Sequence, residues 1–494
     1  MSSEYSLRHA RSIASRVPLA LALVLVAAIG LRAWLWFAYQ PAMMNLTDSV
    51  GYIYQLDTGV FNFPVHPAGY ATFLLGLHEL SSRVEVTILL QHILGIATGL
   101  LLYATVRRFG APVWVGVIAA AAVLLSLDQI FLEHAVLSEA LFTFVFTLSL
   151  YACARAHSNR DAHGPRGWME PRHQWLIAAG VLLGIAACIR GIGAPLAAVI
   201  VIWTLFAFRG PLRLRLGNVA AFGWAVAVML FAYASLNYAA SDKFALGETG
   251  GWALYSRAAP FADCAEFTPP AGTEDLCETT DPEDRPGPDF YGWDPNSPAL
   301  EMFGQHANGD AELGSFARAA VLAQPLEYVQ AVGFDTLRFF APGTALVPDW
   351  FEERPSSGLG YEITDVDQRA PDFEQQVLAS FQTRYPATNL SIRDSIGTLG
   401  NVQEVLRVHP ALLALAVLLS VGGVFVARGS PRAGIALLFA TSFLMLLISV
   451  ATTIYTARYA IPAQGALVAA GAIGAWQIAQ RLRDGPARPR PAVG

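Results

Sequence analysis

Apolar positions in this chain run together in blocks of about 17–25 residues, the length a helix needs to cross ~30 Å of hydrocarbon while satisfying its own backbone. Reading blocks against breakers predicts spanning helices near 18–39, 86–105, 111–127, 139–156, 174–190, 192–208, 218–238, 408–427, 433–454 and 460–479. Two stretches break the pattern. The segment from Asn45 to about Ser82 is too interrupted to span. There Val50, Ile53 and Leu56 predict a short surface helix, and Pro67 stands where a second can begin. His66, which precedes that proline, is pushed out of the helical region and falls at the second helix's start. The segment from Ala239 to Arg407 is long and polar. Its Pro269-Pro270, Pro286-Gly287-Pro288 and Asp294-Pro295 predict turns with little long helix. The exception is Leu326 to Phe340, where Val329, Val332, Phe334, Leu337 and Phe340 predict the apolar face of a helix on the membrane surface.

The expected fold is an all-α polytopic membrane protein of about ten transmembrane helices, with surface helices and one large mixed loop domain on the far side. It divides into an N-terminal module, 1–238, with about seven spans and a first outer loop at 40–85; the loop domain, 239–407; and a C-terminal module, 408–494, with about three spans and a tail.

Composition agrees: 54% of the 494 residues are hydrophobic and 14% charged, against roughly 25% charged in soluble domains. The first block follows Arg8, Arg11 and Arg16 as a signal sequence would, but it is long and lacks a small-residue cleavage site, so it is read as the first span. Arg107-Arg108, Arg155 to Arg172, Arg209 to Arg215, Arg428 with Arg432, and the Arg481 to Arg490 tail alternate with arginine-poor loops. Cytoplasmic loops keep the excess of basic residues, which places both termini in the cytoplasm. Residues 239–407 carry a net charge of −17 and the remainder +11, so the acidic loop falls outside. All basic residues but Lys243 are arginine, a mark of a GC-rich genome, and the expected location is a bacterial plasma membrane. Cys264 and Cys277 lie in the outer, oxidising compartment and are expected to pair, whereas Cys153 and Cys188 lie in apolar blocks. No Cys-x-x-Cys spacing is present.

Several polar residues fall at outer ends of spans. Asp48 begins the first surface helix, where it either caps the helix or stands ionised to accept a proton. Glu133, His134 and Glu139 lie between the third and fourth spans; a dipole-stabilised Glu139 and a hydrogen-bonded interfacial His134 are the structural alternatives. Arg190 ends the fifth span and Arg458 precedes the tenth, where positive charge is disfavoured and asks for a partner: a substrate phosphate, lipid headgroups, or Asp48 or Glu139.

Together, Asp48, His66-Pro67-Ala68-Gly69-Tyr70, Gln91-His92, Tyr103-x3-Arg107-Arg108, Ser138-Glu139 and Arg458-Tyr459-x2-Pro462 resemble the C-type (GT-C) membrane glycosyltransferases. The branch they look most like is the protein mannosyltransferase and aminoarabinose-transferase superfamily. The resemblance implies an inverting transfer of a sugar from a polyprenyl-phosphate donor to an acceptor outside the membrane. It puts Asp48 in the position of the base and Glu139 in that of the second acidic residue. Arg190 and Arg458 become phosphate ligands, with His66, Tyr70, Glu133, His134 and Tyr459 around the substrate. Ser49 follows Asp48, so the first loop lacks an adjacent acidic pair, and no metal or other cofactor is indicated. The expected partners are the lipid-linked sugar, the acceptor and membrane lipids, with no nucleic acid. The competing reading is a transporter or flippase of a lipid-linked sugar. Such proteins carry inverted repeats and midplane charges; here the charges gather at outer ends.

Overall fold

The computed structural model describes residues 18–44, 48–63, 65–158, 170–304, 308–341, 379–386 and 391–484. Helix α1 (Leu19–Ala38) leads into the short strand β1 (Tyr39–Gln40), which pairs antiparallel with β2 (Ser391–Ile392). Two short helices follow, α2 (Asp48–Thr58) and α3 (Ala68–His78). Val50, Ile53 and Leu56 of α2 are buried as the pattern required, but Pro67 lies just before α3 instead of inside it.

The chain then runs through α4 (Val84–Arg108), α5 (Val113–Leu124), α6 (Leu127–His134), α7 (Glu139–Ser158), α8 (Pro171–Ile189), α9 (Gly193–Ala207) and α10 (Leu212–Ser241). Prolines at 112, 171 and 211 mark three of these starts, where a missing N–H costs the helix nothing. The loop segment holds α11 (Gly250–Ala258), α12 (Pro288–Trp293), α13 (Pro298–Phe303), α14 (Asp310–Ala323) and α15 (Pro325–Arg338). After α16 (Ser395–Gln403) come α17 (Pro410–Val426), α18 (Ser430–Thr452), a 3-10 turn at Ala457–Ala460, and α19 (Ile461–Asp484).

Every expected span coincides with a helix. Among the described residues seven helices are long and apolar enough to cross a membrane, and α5 with α6 makes an eighth if that pair, bent by 48°, is one span. The apolar helices α9 and α17 have 15 and 17 residues, or about 22 and 26 Å at 1.5 Å per residue, short of the ~30 Å hydrocarbon thickness. Leu23, Val26 and Ile29 of α1 and Trp224, Val228 and Phe231 of α10 point outward, as side chains solvated by lipid do. The chain is a multi-pass membrane protein.

Without a hydrophobic force between helices in lipid, close backbone approach carries more of the packing. Helices α17 and α19 show it: a Cβ on Gly474 would stand 2.1 Å from the Leu419 carbonyl oxygen. Any side chain there would push the two helices apart.

Two expectations for the loop segment need correction. It has more helix than its prolines suggested, since α14, outside the expected Leu326–Phe340 helix, has 14 residues; Ala-rich stretches such as Ala317 to Ala323 outweigh distant breakers. On α15, Leu326, Val329, Phe334 and Leu337 are exposed, but Val332 is buried and Phe340 is half-buried. The helix spends that side on α18, where the Tyr328 hydroxyl donates to the Ala451 carbonyl at 2.8 Å. The loop segment has its own core of Trp252, Tyr255, Tyr291, Leu313 and Phe316, and a disulfide joins Cys264 to Cys277 at its edge.

Candidate functional site

The first turn of α2 brings Asp48 to the wall of a cavity of about 450 Å³. Arg458, from the turn that opens α19, donates to its carboxylate, and the other carboxylate oxygen lies 3.8 Å from His66 Nε2. Burial would raise the Asp48 carboxyl, but Arg458, His66 and Arg190 outweigh it and hold it at about 2. Asp48 is therefore ionised at neutral pH. Burial lowers His66, with Asp48 opposing, so its imidazole tends to the neutral form.

Glu139 begins α7 and Arg190 closes α8, which sets them face to face. Arg190 Nη1 stands 2.8 Å from Glu139 Oε1, and Arg458 Nε lies 4.0 Å from the same oxygen. Of the sources of compensation open to the two arginines, the structure shows pairing with Asp48 and Glu139. The pairing leaves capacity unspent: Arg458 Nη1 is buried and donates to nothing among the described residues. Both guanidinium groups lie over the Tyr459 ring at 5.6 Å from its centre.

An aromatic stack fixes the rest of the wall. Tyr52, one turn after Asp48, stacks on His66 with ring centres 4.6 Å apart and meets Tyr70 edge-on at 4.6 Å. Its hydroxyl donates to Ser138 Oγ at 2.8 Å, and Arg190 Nη1 donates to that same oxygen at 3.0 Å. Tyr52 and Ser138 were not singled out from the sequence as site residues. The i, i+4 spacing of Tyr52 from Asp48 and the adjacency of Ser138 to Glu139 were the available signals. Tyr70 donates to Gln91 Oε1 at 2.7 Å and supports the stack from behind.

Asp48, His66, Glu139, Arg190 and Tyr459 all line the cavity. Glu133 and His134 do not. Both are fully buried on α6 in a separate network. Arg32 of α1 grips Glu133 through two bonds of 2.8 Å, His92 Nδ1 lies 3.1 Å from Glu133, and His92 Nε2 lies 3.0 Å from His134 Nδ1. His134 Nε2 reaches the Tyr39 carbonyl at 2.8 Å. Gly95 makes room, since a Cβ there would stand 1.8 Å from Glu133 Oε1. The network ties α1, α4 and α6 together beneath the strand that leads to Asp48. Its sequence signal was Arg32 inside an apolar block, where an unpaired cation is costly.

The cavity has a mixed lining. Ile189, Pro195, Met445 and Ile448 of α8, α9 and α18 and Ile192 before α9 are apolar, Ser449, Thr452 and Thr453 at the end of α18 are polar, and Thr249, Trp252, Ser256 and Trp293 come from the loop segment. The described residues hold no cluster of His, Cys, Asp and Glu that could bind a metal ion.

Residues 83–239 match the family model of dolichyl-phosphate-mannose-protein mannosyltransferases. That match bears out the resemblance to C-type membrane glycosyltransferases read from the sequence. No curated protein sequence matches the chain. Among solved structures, it is similar to the Saccharomyces cerevisiae protein O-mannosyltransferase Pmt1-Pmt2 complex bound to the sugar donor, with 17% identity over 49% of this chain and 37% of that one, TM-score 0.37. The Archaeoglobus fulgidus oligosaccharyltransferase shares 13% identity over 92% of this chain and 48% of its own, TM-score 0.43. ArnT from Cupriavidus metallidurans shares 15% over 92% and 77%, TM-score 0.34. The chain thus spans less than half the length of the first two, and nothing below rests on these three likenesses.

Proposed function

We propose that the chain is an inverting glycosyltransferase that moves a sugar from a polyprenyl-phosphate donor to an acceptor on the extracytoplasmic face of a bacterial plasma membrane. One observation carries the reading. Asp48 and Arg190 line one cavity, Arg458 pairs with Asp48 from behind its wall, and among the described residues Arg458 keeps a buried N–H group without an acceptor. The family match over 83–239 supports the same chemistry.

The geometry suggests how the reaction runs. The donor phosphate settles on Arg190 and Arg458, with the isoprenoid tail along Ile192, Met445 and Ile448. A guanidinium suits such an oxyanion because it presents several donors in one plane. Each contact Arg458 makes with phosphate weakens its hold on Asp48, and the Asp48 carboxyl becomes a better base as it is released. Asp48 takes the acceptor hydroxyl proton as that oxygen forms its bond to the anomeric carbon from the side opposite the phosphate. The bond from anomeric carbon to phosphate oxygen breaks, its electron pair stays on the phosphate, and the arginines stabilise the charge. Glu139 holds both guanidinium groups in register. His66 and Tyr52 fix the aspartate's side of the cavity, and Tyr70 braces that stack.

The test is reconstitution of the full chain in liposomes with a radiolabelled polyprenyl-phosphate mannose and a cell-envelope extract as acceptor. Appearance of label in an inverted glycoside, with release of polyprenyl phosphate, is expected. Movement of intact donor between leaflets without cleavage would overturn the reading in favour of a flippase.

A further inference from the structure

A second cavity, of about 420 Å³, shares no lining residue with the one at Asp48. It is a groove between α5 and α17, with α19 packed against both. Trp114, Ile118, Ala121 and Leu125 recur along α5 and its end at steps of three or four, so one face of that helix lines the groove. Leu412, Leu415 and Leu419 do the same along α17. Gly471, Ala472 and Ala475 of α19 add little bulk, which leaves the groove its depth. Trp114, Ile118, Leu412 and Leu415 are exposed, so the groove opens toward lipid. From Trp114 to Leu125 the chain rises about 16 Å at 1.5 Å per residue, close to half of the ~30 Å hydrocarbon thickness.

One end of the groove is polar. Arg407, the last residue of the loop segment before α17, lines it with Ser126. The Leu127 N–H donates to the Leu406 carbonyl at 2.7 Å, which holds the two side chains at the same end. The Arg407 side chain is 8% exposed, and among the described residues its ion-pair partner is Asp128, whose Oδ2 stands 3.5 Å from Nε. Asp128 is fully buried and does not line the groove, and Gln403 donates to its other oxygen at 2.6 Å. It sits behind the arginine and balances its charge without supplying a hydrogen bond. Arg407 Nε, Arg407 Nη2 and Ser126 Oγ are buried and have no hydrogen-bond partner among the described residues. Buried donors left unmade are costly. One oxyanion at the head of the groove satisfies both a guanidinium and a hydroxyl, and the start of α17 adds the positive end of a helix dipole there.

We infer that this groove binds a glycerophospholipid from the leaflet on the loop segment's side, with its phosphate on Arg407 and Ser126 and one acyl chain along α5 and α17. Length decides among phosphate-bearing lipids. An acyl chain fills the depth of one leaflet, as the groove does, whereas a polyprenyl chain of many isoprene units overruns it. The bound phosphate bridges the residue that ends the loop segment to the joint between α5 and α6, so the lipid also fastens α17 to the rest of the bundle.

Native mass spectrometry of the full chain, stripped of lipid in detergent, tests this by titration with palmitoyl-oleoyl phosphatidylglycerol. The first lipid is expected to bind about tenfold tighter than those that follow and to raise Tm. Dioleoylglycerol, which lacks the phosphate, and inorganic phosphate, which lacks the chains, should do neither. Arg407→Gln combined with Asp128→Asn removes the guanidinium without stranding a carboxylate. It should weaken the first lipid about tenfold or more, the order of a hydrogen bond to a charged group. Ala472→Phe fills the groove from α19, leaves Arg407 and Asp128 in place and should also weaken the first lipid. The arginines at Asp48 are untouched in both variants, so phospholipid held there is unaffected. A first lipid no tighter than the rest, unchanged affinity in either folded variant, or inorganic phosphate bound as tightly as lipid would each overturn the assignment. Displacement of the phospholipid by an equimolar polyprenyl phosphate would also overturn it and give the groove to the carrier.

Discussion

Arg458 donates a hydrogen bond to the Asp48 carboxylate across 410 positions of sequence. The pair keeps the aspartate ionised. Substitutions on either side of it have separable consequences.

Asp48→Asn keeps the size and hydrogen-bonding shape of the side chain and its fitness to begin a helix, but it cannot take up a proton. Turnover should fall about 10²–10⁴-fold while donor binding persists, because Arg190 and Arg458 remain. Transfer assays on purified variant, with donor binding measured separately, check it. Near-normal turnover would remove Asp48 from the chemistry and leave Glu139 as the leading carboxylate.

Arg458→Lys keeps one positive charge but loses the planar fork and the buried Nη1 group. The donor KM should rise about tenfold or more, with a smaller effect on kcat, because a point charge cannot serve Asp48 and a phosphate at once. A rise in acceptor KM at constant donor KM would contradict the assignment of Arg458 to the phosphate.

The Asp48 carboxyl is lowered from 3.8 to about 2 in the folded chain, with Arg458, His66 and Arg190 facing it against the opposing effect of burial. A depressed carboxylate adds stability that is full above its unfolded value and is lost as pH falls through its folded value. The Tm advantage of the parent chain over Asp48→Asn should therefore be constant from about pH 7 to 5 and shrink between about pH 4 and 2. Thermal scans in detergent across that range measure it. An advantage that did not change down to about pH 2 would show that the pair does not perturb the carboxyl.

Glu133→Gln strands Arg32, whose guanidinium is 4% exposed. Breaking one side of a buried pair costs about 3–5 kcal/mol, so the variant should melt earlier. The residual folded protein should keep its turnover, since Glu133 does not line the cavity. Loss of turnover at unchanged Tm would return Glu133 to the substrate.

The outside location of the loop segment is tested with membrane-impermeant thiol reagents. Glu301→Cys, at an exposed position, should label in intact cells. Ala162→Cys, which lies outside the described residues, should label after permeabilisation only. The reverse pattern would invert the arginine-based orientation.

Much of the architecture could be read from sequence because lipid enforces it: a block of apolar residues has few other solutions, and each expected span contains a helix. The outer ends were legible for the same reason. Arg190 and Arg458 stand where cations are disfavoured, and both proved to be paired. What failed was pairing at a distance. Glu133 and His134 sit five or six residues from Glu139 and looked like the same cluster, yet the bend between α5 and α6 and the turn before α7 send them to another network. Val332 on α15 looked like part of a membrane face because periodicity does not say which apolar side meets α18.

The distance in sequence between Asp48 and Arg458 also bears on biosynthesis. A ribosome delivers the aspartate before α4 and the arginine only after both the loop segment and α18 have been made. Through most of translation the nascent chain therefore holds a half-built centre, with Asp48 lacking the cation that later clamps it. Chains interrupted anywhere before α19 are released without their second arginine. The Asp48–Arg458 pair can therefore form only once the turn that opens α19 is in place.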